Sequence, residues 1–287
     1  MTPESLHVTG SNDLELHLLR WSDEGVPMLL IHGFGNDAHI WDDFAPTVAA
    51  HYQVLALDLR GHGDSAWDPD GRYDYEHHVA DVEALADALG IERMVVVGHS
   101  LGGRVAMLYA GAHPERLAGL VIVDSAPELD ARGTTRIRME IEEQRDPSFR
   151  SHAEYENLLA HNYPAATPVA IKRMARSGLE QREDGRFVLK QDVSYRGGAG
   201  RNFDPDDLKK REETNKVLMW RALENLACPT LVVRGAASDI MSPEVADKMV
   251  DDVLKNGTLA IVGQAGHSVM TDNPDGFAKA VGDFVLG

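Results

Sequence analysis

The chain has 287 residues, 43% hydrophobic and 26% charged, the profile of a globular core with or without an insertion rather than a collagen, a coiled coil or a disordered chain. Its 28 lysines and arginines face 46 aspartates and glutamates, a net charge of −18, so a phosphate backbone would be repelled and nucleic acid is not an expected partner. No apolar run approaches the roughly 18 residues that cross a bilayer, and MTPESLHVTG lacks the positive flank and apolar stretch of a signal peptide; the expectation is a soluble, cytoplasmic protein with no membrane partner.

Two alternating segments between Leu6 and Trp21 flank the turn-rich Gly10, Ser11, Asn12 and Asp13, which predicts an opening hairpin. Short apolar runs then recur at Met28 to Ile31, Val54 to Leu57, Met94 to Val97, Leu120 to Val123, Thr230 to Val233 and Thr258 to Val262, with helical stretches between them. That alternation predicts an α/β fold, a parallel sheet joined by crossover helices. Val79, Val82, Leu85, Ala86 and Leu89 share one helical face, with Asp74 as a start signal and Gly90 as a stop. A second helix begins after Ser100 and ends before Pro114, and the last runs from about Asn273 to Leu286.

The rhythm breaks over residues 126–226, which predict a mostly helical cap inserted between core segments 1–125 and 227–287. Ser151 with Glu154 fits a capping box, Thr167-Pro168 and Asp204-Pro205 fit helix starts, and Asp184-Gly185 fits a turn. The last of these helices carries Leu208, Val217, Leu218 and Trp220. Tyr155, Tyr163, Phe187 and Trp220 are more large rings than a short surface excursion needs, and Trp220 is expected at the margin of a substrate pocket.

The single cysteine, Cys228, can form neither an internal disulfide nor a thiolate cluster. The 13 histidines show no HExxH or comparable ligand spacing, so no metal is expected. The strongest signal is VVVGHSLGG, Val95 to Gly103, a buried-type strand running through Gly98-His99-Ser100-Leu101-Gly102 into a helix. Such a turn pushes a serine hydroxyl out over the sheet edge, and its flanking glycines avoid collisions. A serine needs a base to activate it and an acid to hold the base. His267, in a Gly-rich loop after the final apolar strand, is the expected base. Two carboxylates compete as acid: Asp239, in RGAASDIMS after the penultimate strand, is favoured, and Asp124, ending Leu120 to Val123, is the alternative. The oxyanion donors are expected to be the N–H groups of Leu101 and Phe34.

Gly33 to Ala38 also matches the dinucleotide pattern G-x-G-x-x-G/A, with Asp58 about 20 residues on. No clean helix starts at these glycines, however, and the fingerprint requires one.

Taken together, HGFG at 32 to 35, DLRGHGDS at 58 to 65, GHSLGG at 98 to 103 and the acid and histidine loops resemble the α/β-hydrolase superfamily, in particular its capped members. The resemblance covers about Leu14 to Asp124 and Leu226 to Val285. It implies a twisted, mostly parallel eight-stranded sheet with helices on both faces, no required cofactor, and structural roles for Asp58 and Asp64. Serine at position 100 departs from the haloalkane dehalogenases and epoxide hydrolases, which carry aspartate there. The resemblance leaves several activities open: a carboxylesterase or lactonase acting on a small, mostly uncharged hydrophobic substrate, a thioesterase, a carbon-carbon bond hydrolase, a cofactor-free haloperoxidase, or a small-molecule receptor with a vestigial site. The ester or lactone reading is preferred.

Overall fold

A computed structural model describes residues 2–143, 148–196 and 205–287. Its strands are β1 (Glu4–Thr9), β2 (Glu15–Arg20), β3 (Val26–Ile31), β4 (Tyr52–Leu57), β5 (Met94–His99), β6 (Leu117–Val123), β7 (Ser148–Phe149), β8 (Leu179–Gln181), β9 (Phe187–Leu189), β10 (Thr230–Gly235) and β11 (Gly257–Val262). The helices are α1 (Ala45–Val48), α2 (Tyr75–Ala88), α3 (Leu101–Ala112), α4 (Ala131–Glu143), α5 (His152–Asn162), α6 (Pro168–Ser177), α7 (Pro205–Asn225), α8 (Pro243–Asp247), α9 (Val269–Asp272) and α10 (Pro274–Leu286). No described helix is long and apolar enough to cross a membrane.

Eight strands form one sheet in the order β1-β2-β4-β3-β5-β6-β10-β11, antiparallel at the opening hairpin and at β2 with β4, parallel elsewhere. The twofold alternation of strands splits the interior in two. Leu29, Ile31, Leu55, Leu57, Val96 and Ile122 face a core with Val82, Leu85 and Val105 of α2 and α3. Met28, Leu30, Val54, Ala56, Val97 and Val121 face the other, closed by Trp41, Phe44, Phe277 and Val281. Burying each such side chain contributes roughly 1.5–3 kcal/mol, so the inner parallel strands β5, β6 and β10, buried on both faces, form a stiff centre for the sheet. The chain leaves β3 for β4 on one side and later enters β5 on the other. The carboxyl ends of β3 and β5 therefore flank the crevice where open α/β sheets place their ligands.

The insertion has its own small core of Phe149, Tyr155, Leu159, Ile171, Met174, Leu179 and Leu189. Besides the expected helices it contains an antiparallel sheet in the order β7-β9-β8, with Gly185 at φ 82° in the connecting turn. Ser151 and Thr167 cap α5 and α6 through the N–H groups of Glu154 and Ala170. Helix α7 behaves differently from the rest. Its Met219 and Leu223, with Leu226 just past its end, belong to the main core, and a Cβ on Gly111 of α3 would stand 2.7 Å from the Cβ of Ala222. Asp204 and the side chain of Leu208 lie outside the described residues.

Candidate active site

The glycines around Ser100 are there because backbone occupies the space a side chain would take. A Cβ on Gly98 would lie 2.4 Å from the Gly102 carbonyl oxygen, and one on Gly102 would lie 2.3 Å from that of Ile31. Helix α3 can therefore start directly against β3 and β5, and the turn between β5 and α3 forces Ser100 to φ 52°, ψ −114°. Ser100 N–H donates to the Val123 carbonyl at 3.1 Å, and Ser125 Oγ–H donates to the Ser100 carbonyl at 2.7 Å, tying the turn to the end of β6.

Ser100 Oγ–H donates to His267 Nε2 at 3.0 Å, and His267 Nδ1–H donates to Asp124 Oδ2 at 2.8 Å. An ionised carboxylate can only accept, which fixes the tautomer: Nδ1 carries the proton and Nε2 offers its lone pair to the serine. Asp124 is fully buried and also accepts from Gly235 N–H at 3.1 Å and from Ser238 Oγ–H at 2.6 Å. Three of the five described non-glycine residues with positive φ are Ser100, Asp124 (φ 43°) and Gln264 (φ 56°). One lies in each of the three loops that build this chain of hydrogen bonds, and backbone held in a sparsely populated region concentrates at functional sites.

The acid position corrects the sequence expectation. Asp239, favoured there as the partner of His267, instead faces the insertion and binds Arg136 of α4 through Nε–Oδ2 at 2.7 Å and Nη2–Oδ1 at 3.0 Å. The guanidinium holds the Asp239 carboxyl below its ordinary range. The physical reason is placement. Asp124 directly follows Val123, the last residue of buried β6 beside β5, whereas Asp239 lies four positions past the end of β10. Trp220 is a second correction: its Nε1–H donates to Glu128 Oε1 at 3.0 Å and Lys248 Nζ sits 4.2 Å over its ring, away from the cavity above Ser100. Phe187 also stays in the insertion, packed on His152.

That cavity has a volume of about 980 Å³ and runs between α4, the end of α5 and the loops after β3, β5, β10 and β11. Phe34, Tyr155, Tyr163, Ile137 and Met139 give it apolar walls. Its arginines are both paired, Arg132 with Asp130 and Arg136 with Asp239 and Glu140. Burial pushes the Tyr163 hydroxyl up to about 12 and raises the Asp272 carboxyl. The N–H groups of Phe34 and Leu101 have no hydrogen-bond acceptor among the described residues; Leu101 opens α3 at the positive end of its dipole.

His99, the residue before the serine, lies in the same wall. Its Nε2–H donates to the His267 carbonyl at 3.0 Å, and its ring centroid is 4.8 Å from that of His267. On its other side, a Cβ on Gly33 would stand 2.8 Å from its Nδ1. Burial and the neighbouring imidazole push its basicity well down, so it packs as a neutral ring between the two loops. Neither it nor Ser238 has a signal in chain spacing.

The dinucleotide-like pattern has structural work instead. Asp58 is buried and accepts from Ala38 N–H, Asp64 N–H and His17 Nδ1–H. Among the described residues, two groups of acidic and histidine side chains are close enough to share a cation, and some of their ligand atoms are already engaged. His17 Nε2 accepts from Ser5 while Asp64 pairs with Lys190, and in the exposed Asp74, Glu76 and His77 group Asp74 pairs with Arg211.

The sequence profile of the alpha/beta hydrolase fold matches residues 26–274. The chain belongs to the α/β-hydrolase family. It is 26% identical to an esterase of Mycobacterium tuberculosis over 92% of this chain and 84% of that one. It is also 26% identical to the 2-hydroxy-6-oxo-6-(2'-aminophenyl)hexa-2,4-dienoic acid hydrolase of Metapseudomonas resinovorans, over 91% of this chain and 84% of that one. An α/β hydrolase from Novosphingobium aromaticivorans superposes with a TM-score of 0.81 at 28% identity, covering 99% of this chain and 98% of its own. In this α/β hydrolase, then, the eight-stranded sheet carries Ser100, Asp124 and His267 at the carboxyl ends of β5, β6 and β11.

Proposed function

We propose that this α/β hydrolase cleaves the carboxylic ester or lactone bond of a small, mostly uncharged hydrophobic substrate through an acyl-enzyme on Ser100. The observation that carries the reading is the Ser100, His267 and Asp124 chain, at 3.0 and 2.8 Å, opening onto a largely apolar cavity. Ser100 Oγ attacks the ester carbonyl carbon as its proton passes to His267 Nε2. The oxyanion takes hydrogen bonds from the Leu101 and Phe34 N–H groups, which are free to give them. Collapse breaks the carbonyl carbon to alkoxy oxygen bond, and His267 returns its proton to the departing alkoxide. Water then attacks the acyl-Ser100 carbonyl while losing a proton to His267, and the second collapse releases the acid and restores the serine hydroxyl. Asp124 stays ionised throughout and stabilises the imidazolium formed in each half.

A substrate without charge suits the cavity because both arginines are already paired and its remaining charged groups are carboxylates. Ser100→Ala is expected to lower turnover of medium-chain nitrophenyl esters by roughly 10⁴- to 10⁶-fold with the fold intact. A fluorophosphonate is expected to label Ser100 alone. An active alanine variant, or a label elsewhere, overturns the reading. The similarity to the 2-hydroxy-6-oxo-6-(2'-aminophenyl)hexa-2,4-dienoic acid hydrolase supports carbon-carbon bond cleavage as a second reading, so the panel includes a vinylogous diketone. A higher kcat/KM on it than on every ester selects that reading. Binding without turnover across the panel selects a receptor.

A further inference from the structure

We propose that Ser238 is a positioning residue that aims the Asp124 carboxylate at His267 and limits how strongly that carboxylate holds the imidazolium. The inference rests on the reading of Ser100, His267 and Asp124 as one acyl-transfer unit, and it gives the loop after β10 a part in that unit through a hydroxyl instead of through Asp239.

The hydrogen-bond inventory of Ser238 leaves little freedom. The residue is buried and is fixed at the end of β10 by its N–H, which donates to the Gly235 carbonyl at 3.0 Å. Its Oγ accepts from the N–H groups of Ile240 and Met241, each at 3.1 Å. With both lone pairs taken, the hydroxyl proton is left for Asp124 Oδ2, 2.6 Å away. That oxygen is the one that also accepts from His267 Nδ1–H, while Oδ1 is held by Gly235 N–H. Three donors on two sites thus set the rotation of a carboxylate at the end of β6, and two of the three come from β10 and its loop. Side chains of adjacent residues diverge, so the inward turn of Ser238 and the outward turn of Asp239 toward Arg136 belong to one backbone path.

Sharing Oδ2 has an electrostatic consequence. A hydroxyl donating to the same oxygen draws negative charge from the atom that must stabilise the imidazolium. Removing the hydroxyl strengthens the attraction between Asp124 and protonated His267 and also loosens the carboxylate. The other groups facing His267 are Ser100, the ring of His99, and the Asp239 and Asp272 carboxylates, with Arg136 behind Asp239. His99 is kept neutral by burial and by His267, and Asp239 is kept ionised by Arg136. Of the groups facing His267, a change at Ser238 alters only the hydrogen bonding of Asp124; its other effect is on the Ile240 and Met241 N–H groups.

The test compares the wild type with Ser238→Cys and Ser238→Ala by kcat and KM on a neutral ester from acid to neutral pH. The alanine variant is expected to lose roughly 3- to 30-fold in kcat with KM nearly unchanged, since the lost contact is to an ionised acceptor. Its acid limb is expected to move to higher pH by roughly 0.3–1 unit. The thiol, a weaker donor of similar shape, falls between. Alanine leaves the Ile240 and Met241 N–H groups unpartnered, so if that variant does not fold the cysteine variant decides by the same shift. A purely structural role lowers the melting temperature and leaves the limb in place; an unmoved limb, or one moved to lower pH, overturns the proposal. The same order is read without turnover from the His267 ring signals titrated by NMR in the Ser100→Ala background. Failure of the ester reading would therefore leave the role of Ser238 decidable on its own.

Discussion

At the scale of single residues, the two acidic candidates make the most direct test. The Asp124 carboxylate is sealed in and accepts three hydrogen bonds, one of them from His267. Asp239 is one-third exposed and shares its charge with a cap arginine. Asp124→Asn would present an amide whose N–H₂ can face the imidazole, force the wrong tautomer and remove the charge that stabilises imidazolium; kcat is expected to fall by roughly 10³- to 10⁴-fold. Asp239→Asn is expected to stay within about tenfold of the wild type, because it weakens only a partly exposed ion pair. Steady-state kinetics of the two variants decides, and the reverse ranking would return the acid role to Asp239. Ser100 and His267 were legible in the sequence because each sits at a junction, strand to helix or last strand to last helix, whose geometry the flanking glycines announce. The choice between Asp124 and Asp239 was not, because both follow strands pointing at the same end of the sheet. What separates them is distance past the strand end: Asp124 comes at once after Val123, while Asp239 has room to turn outward. Trp220 shows the same limit. A helical period groups Trp220 with neighbours on a face but does not say which body the face meets, and Glu128 with Lys248 claims it.

At the scale of elements, the strands and main helices followed from periodicity, since burial on both faces of a parallel sheet leaves continuous apolar runs. The small sheet of the insertion did not, because two or three residues per strand carry no readable period. The turn that follows the oxyanion loop holds a prediction of its own. Asp37 caps the short turn Ala38–Trp41 by accepting from His39 N–H at 2.9 Å. Burial and the facing Asp58 carboxylate push it up to about 6. Asp58 is the better supplied with donors and keeps its charge, so Asp37 takes the proton first. A carboxyl raised in the folded state contributes stability that is fully present below its unfolded value, near 3.8, and lost as pH rises through about 6. Asp37→Asn keeps an oxygen for His39 N–H and carries no charge, so it is expected to be more stable than the wild type at pH 7.5, by at most about 3 kcal/mol. The gain is expected to shrink toward pH 4. Urea unfolding at the two pH values measures it, and an equal difference at both would show that Asp37 ionises in the fold as freely as outside it.

At the scale of the whole molecule, ion pairs are one of the fastenings of the insertion, beside the apolar packing of α7. The apolar cluster around α5 and α6 is separate from both cores of the sheet, and the seam is crossed by Arg136 to Asp239, Arg173 to Asp43, Lys190 to Asp64 and Arg211 to Asp74, and in the opposite sense by Arg104 to Glu212 and Lys248 to Glu128. In the first four pairs the cation comes from the insertion and the anion from the sheet domain. The excess of acid that gives the chain its charge of −18 thus has a local use, as a surface that a basic rim can grip. Arg173, with 15% of its side chain exposed and both nitrogens of its fork on Asp43, is the best placed of the four. Exposed pairs contribute roughly 0.2–1 kcal/mol each and are screened as the Debye length falls from about 10 Å at 0.1 M salt to 3 Å at 1 M. The seam as a whole is therefore expected to weaken by about 1–2 kcal/mol over that range, while the sheet, held by apolar packing, is not. Hydrogen exchange followed by mass spectrometry reads the two parts separately. Peptides from α5 and α6 are expected to exchange several-fold faster at 1 M salt, peptides from β5 and β6 at an unchanged rate, and Arg173→Ala at low salt is expected to reproduce the cap effect alone. If salt and the variant leave α5 and α6 as protected as before, the insertion is held instead by the contacts it shares with α9, among them Thr167 N–H to the Thr271 carbonyl at 3.0 Å.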